Sequence, residues 1–179
     1  ESRAQASMPC SVFIAHDTRL SSPMLSSALA SGLNYVGVHV EVLGVLPTPG
    51  LGNVVATSDA QAGIMLTASH NPENDNGLKF LNAKGYKWDD SLAPEINRLL
   101  AAEHQAGRGW GITRYDSSYT QRYISMCQTA LIAMGAVAYL QNITVVFDLA
   151  NGAMRDAAPR LAKRLGLTCI AIGDSVYSG

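Results

Sequence analysis

The stretch that decides the fold is Gly63-Ile64-Met65-Leu66-Thr67-Ala68-Ser69-His70-Asn71-Pro72, in which an apolar run passes directly into a polar loop. Residues 63–66 have the length and apolar character of a buried strand. Small Ala68 and rigid Pro72 favour a tight loop at its end. Because loops at strand ends face clefts, the sequence predicts that the Ser69 hydroxyl is open to a ligand such as a transferable phosphoryl group.

Strand-like and helix-like segments alternate up to this loop. Apolar runs at 12–15, 38–43 and 64–66 predict strands. Leucines at helical spacing after Ser22 and Pro23 predict a first helix with Ser22 as its N-cap, and a second, short helix follows Pro47. This order is typical of a parallel sheet with right-handed crossovers, whose ligands bind beyond the carboxyl ends of the strands. Both 16–19 and 69–70 fall at such ends.

The rest of the chain predicts a hairpin, two helices and one further strand–helix–strand unit. The segments are a hairpin of 78–81 with 86–88, a helix over 92–100 capped by Asp90 or Ser91, a loop at 106–111, a helix from Asp116 or Ser117 to Met134, and strands at 143–149 and 167–172 around a helix near 153–165. We therefore expect an α/β fold. Residues 1–115 form a three-layer αβα domain with a mainly parallel mixed sheet, and residues 116–179 form a linker helix and the first βαβ of a second, similar domain.

Composition narrows the class of protein. The chain has 179 residues with a formal net charge of −1, and its basic residues are scattered, which argues against nucleic acid as a partner. No run approaches the ~20 apolar residues of a membrane span, and no signal peptide is visible, so we expect no membrane partner. Cys10, Cys127 and Cys169 lie far apart without metal spacing, which favours a reducing cytoplasm.

The motifs resemble the α-D-phosphohexomutase family, whose phosphoserine loop reads Thr/Ser-x-Ser-His-Asn-Pro followed by Asn-Gly-x-Lys. Here these are residues 67–72 and 76–79. Upstream, 17–21 is similar to the family's Asp-x-Arg-x-Ser segment and 46–49 to its Pro-Thr-Pro turn; downstream, 145–152 resembles the entry to its second domain. Arg122-Tyr123-Ile124 is most similar to the bacterial phosphoglucosamine mutases, with phosphomannomutase/phosphoglucomutase enzymes as the alternative.

The resemblance implies a chemistry for the serine loop. Phosphorylated Ser69 gives its phosphoryl group to a sugar monophosphate, and the resulting bisphosphate returns its other phosphate, so that 6-phospho and 1-phospho forms of a hexose or hexosamine interconvert; glucosamine phosphate is our best prediction. Lys79 is implied as the general acid/base. His70 and Asn71 orient the loop and contact phosphate oxygens, and Asp17 and Arg19 brace it. Mg²⁺ is the expected cofactor, bound by Ser69 through its phosphate and by ligands outside this chain.

Several family motifs are missing from this chain: the N-terminal Gly-Ile-Arg-Gly segment, the metal loop, the sugar-reading loop and the C-terminal phosphate loop. We therefore expect a piece of a longer enzyme, inactive by itself, on which the rest of the parent chain packs. The missing loops also motivate a second hypothesis, a non-catalytic sugar-phosphate-binding module of the same fold.

Each candidate residue also has a simpler reading. Ser69 could be a helix N-cap, Lys79 a solvated lysine, and Asp17 with Arg19 a surface or helix-end pair. His16, His39 and His104 lack metal spacing and are predicted to be structural or exposed. The sequence argues against a serine hydrolase, because the chain has no Gly-x-Ser-x-Gly elbow.

Overall fold

The computed structural model describes residues 10–102, 109–140 and 142–174. Five strands form its larger sheet: β1 (Ser11–His16), β2 (His39–Val45), β3 (Ala62–Leu66), β4 (Leu78–Asn82) and β5 (Thr113–Tyr115). They lie in the order β4-β3-β1-β2-β5. β1 runs parallel to β2 and β3, β2 runs parallel to β5, and only β4 is antiparallel to its neighbour. The predicted mixed, mainly parallel sheet is confirmed.

Two helices cover opposite faces of this sheet. In α1 (Ser22–Tyr35) the predicted leucines pack on the apolar cluster that contains Ile14. In α2 (Thr48–Ala56) Leu51 packs on the other cluster, around Met65. Ile14 and Met65 are at most 1% exposed, so both faces of the sheet are buried, as a parallel sheet requires. The result is the expected three-layer αβα arrangement.

Most of the remaining elements follow the larger sheet in the order of the chain. They are α3 (Ala93–Leu100), α4 (Tyr119–Ala133), β6 (Thr144–Asp148), α5 (Ala157–Arg164) and β7 (Thr168–Ile172), with short 3₁₀ helices at Asp90–Leu92 and Ala136–Tyr139. β6 and β7 pair in parallel as a separate two-stranded sheet, which confirms the βαβ pattern. None of the helices among the described residues is long and apolar enough to cross a membrane.

α4 connects the two sheets. Tyr119 is buried against Phe13 with ring centroids 6.0 Å apart, and the Arg122 guanidinium lies 4.4 Å from the centre of the Tyr119 ring. Burial, together with contact with Cys127, raises the pKa of Tyr123 to about 12, so this phenol stays neutral inside the molecule. On its other side, α4 accepts a hydrogen bond at Ser125 Oγ from Arg164 of α5, 3.1 Å away.

The element boundaries differ from the prediction in a few places. β5 was not predicted, because Thr-Arg-Tyr carries no apolar run. This strand lies at the edge of the sheet, after residues 109–111 of the predicted loop. Residues 106–108 of that loop lie outside the described residues. The 92–100 helix is preceded by a 3₁₀ turn that Asp89, rather than Asp90 or Ser91, caps. α5 begins only at residue 157, after a run of turns that starts with the left-handed residues Ala150 and Asn151. The second arm of the 78–88 hairpin is reduced to one bridge, between Leu81 and Lys87.

The hairpin turn after β4 rests on the backbone of α2. Gly85 has φ of 77°, and a Cβ at this position would clash with the Gly52 carbonyl oxygen. We predict that Gly85→Ala destabilises the fold by about 2 kcal/mol or more, from the left-handed backbone and the backbone clash together. The measurement is urea unfolding of the substituted chain.

Gly32→Ala is the matched control. Gly32 is an exposed residue inside α1, and a methyl group added there would have no other atom within 4 Å. Alanine should stabilise the helix by about 0.5–1 kcal/mol. Equal unfolding midpoints for the two variants would show that the contact between Gly85 and Gly52 does not constrain the hairpin.

Candidate active site

The predicted loops meet at the carboxyl ends of β1 and β3. The Asp17 N–H donates to the Leu66 carbonyl oxygen at 3.0 Å and so fixes one loop to the other. The connection after β1 leads to α1 on one face, whereas α2 enters β3 from the opposite face. The strand order therefore reverses between β1 and β3, and crevices of this kind are where open α/β sheets bind ligands.

Asp17 is buried at the base of this crevice. Its Oδ1 accepts hydrogen bonds from the Arg19 N–H at 3.1 Å and from Ser22 Oγ at 3.2 Å. Its Oδ2 accepts from Arg19 Nε at 3.2 Å and from Thr67 Oγ1 at 2.7 Å. A carboxylate has about four acceptor sites, so this one is fully occupied. Asp17 is thus a structural brace, with no oxygen left for a metal or a substrate proton.

Arg19 holds the serine loop by its backbone. Nη2 donates to the carbonyl oxygens of Ser69 at 3.0 Å and Asn71 at 2.9 Å. Nη1 donates to the carbonyl oxygens of Asp75 at 2.8 Å and Pro72. The side chains of Arg19 and Asp17 are only 10% and 12% exposed. The surface-pair reading of these residues is therefore wrong.

Ser69 stands at the top of this loop and is exposed. Its φ of 56° places a non-glycine residue in the left-handed region, which persists only where the surroundings hold it. Its N–H donates to Thr67 Oγ1 at 3.2 Å, whereas its hydroxyl makes no hydrogen bond within the part of the chain that is described. No helix begins here, so the interpretation of Ser69 as a helix N-cap is wrong.

The other loop side chains mostly support the loop itself. Asn71 Nδ2 donates to Asp75 Oδ2 at 3.1 Å, which keeps this amide within the loop. Asn76 Nδ2 donates to the hydroxyls of Ser21 and Ser22, each at 3.0 Å, and ties the loop end to the start of α1. His70 is exposed and has no partner among the described residues. The supporting roles of Thr67, Asn76, Ser21 and Ser22 were missed from the sequence, although Thr67 and Asn76 belong to the quoted motif.

Lys79 lies on β4, directly opposite Met65 of β3. The chain therefore reverses, as the turn at Asp75-Asn76-Gly77 predicted, and the Thr67 N–H closes the loop base on the Gly77 carbonyl oxygen at 2.9 Å. Lys79 is half-buried and forms no hydrogen bond or ion pair with any described residue. Its partner Met65 precedes Ser69 by four positions, up to about 13 Å of extended backbone, so the strand register alone does not bring Lys79 to the serine.

The histidines outside the loop have structural contacts. His16 Nδ1 lies 2.6 Å from the Asp17 carbonyl oxygen, and His39 Nδ1 accepts from the Ile112 N–H at 3.1 Å. His104 lies outside the described residues. Among the described residues, no three His, Cys, Asp or Glu side chains cluster in a way that could hold a metal ion.

Known proteins share both the sequence and the fold. Residues 2–107 match the family model described as phosphoglucomutase/phosphomannomutase, alpha/beta/alpha domain I. The phosphoglucosamine mutase of Acinetobacter baylyi is 41% identical over 165 residues, which are 90% of this chain and 36% of that protein. The phosphoglucosamine mutase of Streptococcus suis is 42% identical over 161 residues, 87% of this chain and 34% of that protein.

A solved structure supports the same assignment. A phosphoglucomutase/phosphomannomutase family protein from Burkholderia thailandensis superposes with a TM-score of 0.75 at 28% identity, covering 94% of this chain and 36% of that one. The chain thus spans about a third of the length of the curated relatives it matches. The family match over residues 2–107 includes the whole serine loop and its brace, and the chain belongs to the phosphoglucomutase/phosphomannomutase family.

Proposed function

We propose that this chain carries the phosphoryl-transfer loop of a phosphohexomutase that interconverts the 6-phospho and 1-phospho forms of a hexose or hexosamine. The observation that carries the proposal is the exposed, unpartnered Ser69 hydroxyl on a loop whose carbonyl groups converge on Arg19. The phosphoglucosamine mutases among its relatives favour glucosamine phosphate as the substrate. The activity belongs to the complete protein, of which this chain supplies the phosphoryl donor.

The proposed cycle uses Ser69 as a relay. The O–P bond of phosphoserine breaks while a new O–P bond forms to a sugar hydroxyl, whose proton passes to Lys79 Nζ; Lys79 acts here as the neutral amine and becomes an ammonium. The bisphosphate then reorients and returns its other phosphoryl group to Ser69 Oγ by the reverse chemistry. Splitting the transfer into two in-line steps leaves the protein chiefly the tasks of positioning and charge neutralisation.

Charge neutralisation must come from groups other than the brace. A phosphoserine carries about −1.5 to −2 charges at neutral pH. The Arg19 charge is paired with Asp17 at 3.2 Å, so the two together add little net potential. Lys79, without an ion pair among the described residues, contributes a positive charge once it holds the proton, and we assign to the exposed His70 a contact with phosphate oxygens.

The oxygen atoms that this chain can offer limit its part in binding a divalent cation. A phosphohexomutase of this family uses a divalent cation, and we propose Mg²⁺, which prefers oxygen ligands and would neutralise the transferring phosphoryl group. Asp17 cannot contribute, because both of its oxygens are occupied. The phosphate oxygens on Ser69 are therefore the ligands that we assign to this chain, and the remaining ligands lie elsewhere in the complete protein.

Three further assignments belong to the same proposal. The division into residues 1–115 and 116–179 is supported by two sheets that share no strand. A cytoplasmic location is supported by the three free cysteines. The partners are a sugar phosphate and the rest of the parent chain, which would cover apolar side chains on the outer face of the small sheet, such as Val146 and Ile170.

Ser69→Ala in the complete protein tests the relay. We predict that mutase activity falls by about 10³-fold or more, because no covalent phosphoenzyme forms, and that the phosphopeptide containing residue 69 disappears from mass spectra. Ser31→Ala, on the exposed side of α1, is the control and should leave both unchanged. Full activity in Ser69→Ala would exclude the proposal. A different result would support a non-catalytic module: the unsubstituted protein binds a sugar phosphate but shows neither turnover nor phosphoserine.

Lys79→Met tests the proton transfer. We predict that kcat falls by about 10²–10⁴-fold, the range for loss of a general acid/base, while Ser69 still becomes phosphorylated. Lys84→Met, in the exposed turn after β4, is the matched control and should retain normal kcat. If kcat of Lys79→Met stays within twofold of the parent, Lys79 is an ordinary solvated lysine.

A further inference from the structure

A second cleft opens on the opposite side of β1 from the serine loop. It encloses about 420 Å³ and is lined by the carboxyl ends of β1 and β2, the start of α4 and the turn before α5. None of residues 67–77 lines it. Its size is within the range of small-molecule sites, and its walls come from the larger sheet, the start of α4 and the turn before α5.

One side chain that lines this cleft has an N–H group without a hydrogen-bond acceptor. Arg155 Nη1 is buried and has no hydrogen-bond partner. A buried guanidinium N–H without an acceptor is costly, and native structures satisfy such groups with a protein acceptor, ordered water or a ligand. The structure shows no protein acceptor for this atom within the described residues.

The charges around the cleft favour an anion as that acceptor. Both carboxylates in its lining are already paired: Asp17 with Arg19, and Asp156 with Arg160 at 2.5 Å. Arg155 forms no ion pair with any described residue, so its charge is left uncompensated. Because the neighbouring acids are neutralised, the local excess of charge is positive.

The cleft also offers a neutral donor. The Ser117 hydroxyl makes no hydrogen bond within the described part of the chain. His16 adds none while its ring is neutral, because Nδ1 donates to the Asp17 carbonyl oxygen at 2.6 Å and Nε2 is then an acceptor. An arginine fork with a hydroxyl matches a tetrahedral phosphate dianion, which presents several acceptor oxygens to donors from different directions.

We propose that this cleft is a phosphate-binding site, separate from the serine loop, in which Arg155 is the principal ligand and the Ser117 hydroxyl adds a hydrogen bond. A phosphate bound there joins the β1 end of the larger sheet to the turn before α5 and so links the two sheets. The occupant is inorganic phosphate or the phosphate group of a small ester. The proposal does not depend on phosphoryl transfer by Ser69.

The test is calorimetric titration of the complete protein with inorganic phosphate, in a Ser69→Ala background so that the serine loop stays unmodified. Arg155→Met should weaken phosphate binding at one site by at least about 10-fold, as expected for loss of a charge-assisted pair. Lys163→Met, exposed on α5 and outside the lining of the cleft, should change it less than twofold. No saturable phosphate site, or equal affinity in Arg155→Met, would overturn the proposal. A hexose 6-phosphate in place of inorganic phosphate then shows whether the site accepts esters.

Thermal unfolding separates ligand binding from a structural role. In phosphate-free buffer, Arg155→Met should unfold at the same temperature as the parent or higher, because it removes an N–H group that is buried without an acceptor. In phosphate, the parent should gain Tm and the variant should not. An equal loss of Tm by Arg155→Met in both buffers would identify Arg155 as a structural residue and contradict the site.

Discussion

The candidate site depends on one saturated pair of side chains, Arg19 and Asp17. A guanidinium has five N–H donors, and here all five are used: one on Asp17 and four on carbonyl oxygens of the serine loop. Asp17 in turn accepts four hydrogen bonds, including those from Ser22 and Thr67. A buried ion pair of this kind is weak evidence for stability, but its fixed geometry specifies one arrangement of the groups around it. Lysine could not replace this arginine, because an ammonium has three donors and no planar fork.

This arrangement separates the task of holding the loop from the task of reacting. Carbonyl groups of the loop point inward to Arg19, and the Ser69 N–H is occupied by Thr67 Oγ1, so the backbone is fixed from both directions. The left-handed backbone at Ser69 is held by these contacts, and its hydroxyl stays exposed. The hydroxyl that we propose to carry the phosphoryl group thus needs no contact with Arg19 or Asp17. The same reasoning explains why Asp17, an acid next to the site, is unsuited to metal binding.

The sheet and the position of the candidate site could be predicted from the sequence. The contacts that hold the site together could not. Apolar runs such as 64–66 predict buried strands, because burial on both faces leaves no other pattern. The acceptors of Arg19 lie 50–56 residues further along the chain and are backbone carbonyls, which have no residue-type signature. From the sequence alone, Arg19 could therefore be interpreted as a surface residue. β5 was missed for a related reason: the sheet edge holds it mainly through its backbone, as when the Val40 N–H donates to the Ile112 carbonyl oxygen just before it at 2.9 Å.

The central claim is that Arg19 holds the loop that presents Ser69, and amide hydrogen exchange after Arg19→Lys tests it most directly. The amides of Thr67, Asn71 and Asp75 are hydrogen-bonded within the loop. We predict that they exchange about 10–100-fold faster in Arg19→Lys, while amides inside β1 and β3 keep their protection, because several charge-assisted hydrogen bonds are lost. Arg98→Lys, an exposed pair with Glu95 on α3, is the matched control and should leave the loop unchanged. Unchanged exchange of the loop amides in Arg19→Lys would contradict the account.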